Sequence, residues 1–135
     1  MSLEDNRVFA QFAKSVIYDK DIILHTKGDS SKPYCYTIDA VHAILYLLCQ
    51  GKDGEAYNVA NSDTYISIFE MAKFLVNNFN PRSKIVIELD DNMGYAPITH
   101  LNLNTDKLKS LGWRPNYDLK KMYSQLINYY KIVLK

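Results

Sequence analysis

The chain reads Lys32-Pro33-Tyr34-Cys35-Tyr36-Thr37-Ile38-Asp39-Ala40-Val41-His42-Ala43-Ile44 and, a little further on, Gly54-Glu55-Ala56-Tyr57-Asn58-Val59-Ala60. Pro33 stands where a strand begins and a missing N–H is tolerated, so Pro33 to Thr37 predicts a strand. Asp39 is a residue type that caps helices. Val41, Ile44, Leu45, Leu47, Leu48 and Cys49 carry a helix from it to about Gln50, with Gly51 as the C′ residue. This helix has little polar face, and a helix apolar nearly all round wants burial on two sides. Glu55 to Ala60 predicts the next strand. Strands alternating with helices define an α/β domain.

The flanks extend the same pattern. Val8, Phe9, Phe12, Val16 and Ile17 recur at three- and four-residue spacing, which predicts a helix from Asp5, as N-cap, to about Lys20. Ile22 to Thr26 predicts a short strand ahead of a loop at Gly28-Asp29-Ser30-Ser31. Ser67-Ile68-Phe69-Glu70 is a capping box, and its helix carries Ile68, Met71, Ala72, Leu75, Val76 and Phe79 on one stripe until Pro81. Ser83 to Leu89 alternates as a strand. Asp90 to Pro97 is a loop holding Asn92, Gly94 and Pro97, and Ile98 to Leu103 is extended. Asn104 or Thr105 caps a short helix through Leu111. Asp118 opens a last helix with Leu119, Met122, Tyr123, Leu126, Ile127, Tyr130 and Val133 on one face. The expected fold is a small mixed α/β domain of about four helices and four to five short strands, spanning 5–135, with residues 1–4 as a leader outside it.

A length of 135 residues fits one domain, and a net charge of +1 makes no electrostatic case for nucleic acid or membrane as a partner. No apolar run is long enough to cross a bilayer as a helix, and no signal peptide is visible, so a cytoplasmic location is expected. Cys35 and Cys49 sit in apolar segments and read as two buried, reduced thiols. His25, His42 and His100 are far apart and neither cysteine has a ligand partner at metal spacing, so no metal site is expected.

Three blocks together resemble the C-terminal part of an extended short-chain dehydrogenase/reductase, the family of NAD(P)-dependent nucleotide-sugar epimerases and dehydratases. They are the Tyr34-to-Asp39 segment running into its helix, Gly54-Glu55-Ala56-Tyr57-Asn58, and Leu111-Gly112-Trp113-Arg114-Pro115 with Lys107 before it and Leu119 after it. The resemblance runs from about Asn6 to Tyr130. It implies a Rossmann-like parent whose dinucleotide-binding half is absent from this stretch. Consistent with that, Gly28, Gly51, Gly54, Gly94 and Gly112 are scattered, and no Gly-x-Gly-x-x-Gly exists to cradle a pyrophosphate. The family pairs a catalytic Tyr with a Lys four residues on. Tyr117 and Lys121 match that spacing, but they straddle the Asp118 cap downstream of Leu-Gly-Trp-x-Pro and are rejected as a coincidence. No catalytic or cofactor-binding residue is therefore assigned.

What the resemblance implies here is substrate binding. Lys32, four residues after Gly28, aligns with a family Arg that grips the pyrophosphate; it supplies charge without a bidentate fork, and a solvated loop lysine is the alternative. Leu24-His25-Thr26-Lys27-Gly28 takes the place of a family stretch whose backbone and aromatic frame the base, so Leu24 and His25 are candidates, with a surface histidine the alternative. Where the family carries Arg-x-x-Asp, this chain has Gly94-Tyr95-Ala96-Pro97-Ile98-Thr99-His100, and Tyr95 or His100 is the substitute. Asn58 is expected to hold its turn, and Trp113 to pack. The implied function is the substrate-binding portion of an epimerase or 4,6-dehydratase (an isomerase or lyase of carbohydrate biosynthesis). As an isolated piece it is expected to be inactive, to bind neither NAD nor NADP, to take a nucleoside-diphosphate sugar, and to self-associate through the face meant for its Rossmann half. The alternative is a non-enzymatic protein-association module of the same architecture.

Overall fold

A computed structural model describes residues 1–90 and 94–134. Three amphipathic helices form its centre. α1 (Val8–Ile17) buries Ala10, Phe12, Ala13 and Val16, and packs against both α3 (Ile68–Phe79) and α5 (Leu119–Val133). α3 contributes Met71, Ala72 and Leu75, and α5 contributes Leu119, Met122, Tyr123, Ile127 and Tyr130. The three- and four-residue spacing turns these side chains to one side, and with Ile22 and Leu24 of β1 (Ile22–Leu24) they make the main core. Full burial of each large aliphatic is worth about 1.5–3 kcal/mol.

β1 pairs in parallel with β4 (Ile85–Ile87), Ile22 opposite Ile85 and Leu24 opposite Ile87. β2 (Ser31–Lys32) pairs antiparallel with β3 (Ile66–Ser67), and Ser31 also bridges His100 in parallel. α2 (Thr37–Gln50) and α4 (Asp106–Ser110) complete five α-helices among the described residues, each within or close to a stretch where the sequence pattern sets one. The mixed α/β class stands.

Local signals hold where the partner is a few residues away. Ser67 Oγ accepts the N–H of Glu70 at 3.1 Å, and Asp118 Oδ1 accepts that of Lys121 at 2.7 Å. Asn104, not Thr105, supplies the side-chain cap to α4, accepting the N–H of Asp106 at 2.8 Å. Two caps are corrected. α1 begins after Arg7, and Asp5 instead accepts the backbone N–H of Arg7 at 2.9 Å and its guanidinium at 2.6 Å. That side-chain hydrogen bond holds the Asp5 carboxyl down at about 2. α2 begins at Thr37, and Asp39 lies buried in its first turn, accepting the N–H groups of Asn116 and Tyr117 at 3.0 Å each. The expected helix starter therefore ties α2 to the turn ahead of α5.

Two strands are corrected as well. The ladder expected over Pro33–Thr37 sits at Ser31–Lys32, because Pro33 has no N–H and Tyr34 donates its own to Thr64 Oγ1 at 2.8 Å. Glu55–Ala60 is irregular, with no partner strand among the described residues. Its Tyr57 and Val59 pack on a second apolar cluster of Ala43, Leu108 and Trp113, and Asn58 Nδ2 donates to Asn104 O at 2.9 Å, so Asn58 ties this segment to the residues ahead of α4 instead of holding a turn after a strand. Gly51 closes α2 with φ −68°, outside the left-handed region. Glycine is needed there because a Cβ would stand 2.6 Å from Leu47 O.

The two-sided burial expected of α2 is met on one side only. Asp39 and Ala43 are buried, whereas Ile38, Val41, Ile44, Leu45 and Leu48 are 50–78% exposed. Cys49 is exposed too, which corrects the expectation of two buried thiols; Cys35 is half-buried. Burial, with Asp39 nearby, pushes the Cys35 thiol up to about 11. A raised pKa means less thiolate, so iodoacetamide at mildly alkaline pH is expected to label Cys49 well before Cys35 in peptide mass spectra. Equal rates would contradict that placement.

Tyr123 is wholly buried, its ring stacked on Phe9 at 3.9 Å, and its hydroxyl has no hydrogen-bond partner among the described residues. A buried hydroxyl without a partner carries a desolvation penalty and no return. Tyr123→Phe is expected to be neutral or stabilising by up to about 1 kcal/mol in urea unfolding. A clear loss would mean that the hydroxyl has a partner. No helix among the described residues is long and apolar enough to cross a membrane.

Candidate functional site

Two loops enclose a cleft of about 670 Å³. Residues 25–32 form one wall and residues 95–99 the other, with Leu89 and Asp90 beside them and Ile68 at the head of α3. The first wall is seated on α3. Phe69 donates its N–H to Gly28 O and Ile68 to Ser30 O, each at 3.0 Å. Gly28 has φ +75°, and a Cβ there would stand 2.8 Å from Phe69 N. Gly28→Ala is therefore expected to lower stability by about 1–2 kcal/mol and to displace this wall. Urea unfolding and the amide resonances of 25–32 check it, and unchanged resonances would refute it. The second wall is laced to the first through Ser31, which donates to Thr99 O and accepts from Leu101 N, both at 2.9 Å. Thr99 N also donates to Ser30 Oγ at 3.2 Å.

Of the residues predicted from sequence, His25, Lys32 and Tyr95 share this cleft. The His25 and Tyr95 rings stand 6.4 Å apart, their planes only 13° from parallel. His25 Nδ1 lies 3.2 Å from Glu88 O, which only accepts, so that nitrogen carries the hydrogen. Lys32 Nζ lies 5.7 Å from the Tyr34 ring centroid. Leu24 and His100 are not part of the lining. Leu24 is a core residue whose carbonyl accepts the N–H of Glu88 at 2.9 Å, and His100 sits exposed at the bridge to Ser31. Sequence reasoning missed Lys27, Asp29 and the Pro97–Thr99 wall, which join the site through contacts across some seventy residues of chain. Asp90 lines the cleft; Asp91 and Asn92 of the same loop lie outside the described residues.

The Tyr117 and Lys121 pair is elsewhere. The Tyr117 ring packs on Tyr36 at 4.3 Å, and Lys121 Nζ donates to Asn116 O at 3.2 Å. No group of three potential metal ligands occurs among the described residues. The N-terminus of α3 does not fit a dinucleotide phosphate, because the N–H groups of Ile68, Phe69 and Glu70 already serve Ser30, Gly28 and Ser67.

The model of the NAD dependent epimerase/dehydratase family matches residues 2–60. The dTDP-D-glucose 4,6-dehydratase of Homo sapiens is 25% identical over 130 residues, covering 93% of this chain and 37% of that protein. The CDP-abequose synthase of Salmonella typhimurium is 28% identical over 109 residues, 76% of this chain and 35% of that one. Among solved structures, a UDP-glucose 4-epimerase of Thermotoga maritima with UDP-glucose superposes with a TM-score of 0.80 at 20% identity, over 96% of this chain and 40% of the other. The family model and the relatives support an NAD-dependent epimerase/dehydratase family member, and the solved structure shares its fold. The chain spans little more than a third of the length of the curated relatives it matches.

Proposed function

We propose that this chain is the substrate-binding portion of an NAD(P)-dependent nucleotide-sugar epimerase or 4,6-dehydratase, and that the cleft between residues 25–32 and 94–101 takes the nucleotide. The observation that carries this is the near-parallel pair His25 and Tyr95, 6.4 Å apart. One flat base inserted between two rings needs about two stacking layers, and base–aromatic stacking is worth about 1–3 kcal/mol per base. Lys27 and Lys32 line the same cleft and are the cations we assign to a phosphate held there. The chain's contribution to catalysis is then positioning: binding the nucleotide fixes where the sugar lies, and such remote binding energy lowers the barrier without a reacting group.

With no Gly-x-Gly-x-x-Gly turn in this sequence and the first N–H groups of α3 already taken, we assign the cofactor and the reacting groups to the remainder of a longer protein. The bare apolar face of α2 is the surface on which that remainder would pack, and the same face makes the chain self-associate when it is alone. A clean monomer at high concentration in sedimentation experiments would count against this. The cytoplasm and carbohydrate biosynthesis are the setting that the reading implies. Similarity to enzymes over most of the chain favours it over a pure association module.

The test is an amide chemical-shift titration with UDP-glucose and dTDP-glucose. Shifts confined to 25–32 and 94–101, with no sugar conversion by the chain alone, are expected. Shifts elsewhere, or turnover, would sink the proposal.

A further inference from the structure

The two walls of the cleft are held in different ways. The first is seated on the body of the protein: Gly28 is buried close against Phe69, and the main-chain bonds from Phe69 to Gly28 and from Ile68 to Ser30 fix it to the head of α3. The second has no packing of its own. Every residue from Gly94 to Asn102 is exposed, Tyr95 by 51% and Ile98 by 64%. A segment that buries so little apolar surface gains little from the hydrophobic effect against the entropy of ordering it, so hydrogen bonds must set its place. Among the described residues three of them join the walls. Ser31 N–H to Thr99 O and Leu101 N–H to Ser31 O, both 2.9 Å, are main-chain bonds. In the third, Ser30 Oγ accepts the N–H of Thr99 at 3.2 Å.

The Ser30 bond is the one of the three made by a side chain, so it is the one that evolution or a substitution can tune. Its near end is fixed, because the Ser30 carbonyl is held by Ile68 N–H at 3.0 Å. Its far end is Thr99, on the same exposed segment as Tyr95. Resting on the nucleotide-binding reading above, we infer that Ser30 is a positioning residue: its hydroxyl fixes Thr99 and thereby holds the exposed wall at the separation from the seated wall that a bound nucleotide meets. Ser30 acts through the second wall. Without its bond that wall samples other separations, and a site whose competent arrangement is only partly populated loses affinity in proportion to that fraction. One hydrogen bond of this kind shifts such an equilibrium by about two- to tenfold.

The experiment compares the whole wild-type chain with Ser30→Ala and Ser30→Thr, first by amide hydrogen exchange without ligand and then by calorimetry with UDP-glucose and dTDP-glucose. In Ser30→Ala the Thr99 amide is expected to exchange about two- to tenfold faster, while those of Ile68 and Phe69 keep their protection. The same variant should weaken the better-bound nucleotide sugar by a similar factor. Ser30→Thr keeps an Oγ and should restore both readouts. The exchange measurement separates positioning from direct contact: a Ser30 that only touched the ligand would lose affinity on truncation and leave Thr99 exchange in the free chain unchanged, and that result would overturn the inference. So would faster Thr99 exchange with no loss of affinity, or loss of protection at Ile68 and Phe69 as well, which would make Ser30 a support of the seated wall. Each of these leaves the nucleotide reading standing. Failure of the wild-type chain to bind either nucleotide sugar would overturn that reading and, with it, the role of Ser30 in affinity, whatever Thr99 exchange shows.

Discussion

Asp39→Ala is expected to lower the unfolding free energy by about 2–4 kcal/mol, since it strands two backbone donors at about 1–3 kcal/mol each, less what water reaching the partly exposed turn restores. The carboxylate is 1% exposed, and each oxygen accepts one N–H, from Asn116 and from Tyr117. These two bonds join the first turn of α2 to the residues just before Asp118, the cap of α5. Asp39→Asn keeps the shape but offers one acceptor, and its amide hydrogens face the second N–H, so it should recover no more than half of the loss. Urea unfolding measures the energy, and hydrogen exchange at Asn116 and Tyr117 locates it. A loss in Asp39→Ala below about 1 kcal/mol, with exchange unchanged, would show that the turn holds itself.

Trp113→Ala should cost about 3–5 kcal/mol. The indole is 1% exposed and fills the second cluster with Ala43 and Leu108, against Tyr46, Leu47, Tyr57, Val59 and Leu111. Its Nε1 has no partner among the described residues, so its contribution is packing alone. Trp113→Phe should therefore restore much of the stability, since it removes an unsatisfied donor while keeping a ring. The larger consequence is spatial. Much of the apolar surface of α2 is bare, and this cluster is its main apolar anchorage, so Trp113→Ala should strip exchange protection from α2 and residues 55–60 while α1, α3 and α5 stay protected. Uniform loss across all helices would mean that the two clusters unfold as one unit.

These two residues show where sequence reading worked and where it stopped. Trp113 within Leu-Gly-Trp-x-Pro reads as a packing residue because the constraint is local: Gly112 takes φ +105° and Pro115 lies just beyond. Asp39 reads as a helix cap by type and position, yet its partners are Asn116 and Tyr117, far along the chain. A capping side chain competes between a local N–H and distant ones, and burial in the fold decides between them.

Legible from the chain alone are the α/β class, the stripes of α1, α3 and α5, the caps at Ser67 and Asp118, and the family resemblance, because each rests on residues one to four apart or on motifs contiguous in the chain. His25, Lys32 and Tyr95 are candidates through the resemblance, and all three line the one cleft. Only the tertiary structure decided that Ser31–Lys32 forms the ladder, that Glu55–Ala60 does not, that Cys49 faces outward, and that Leu24 and His100 stand apart from the cleft. It also brought Lys27 and Asp29 across from the Pro97–Thr99 wall. Strand pairing and cleft walls join segments separated by tens of residues, and nothing within a short window encodes which distant backbone will supply the missing hydrogen bond.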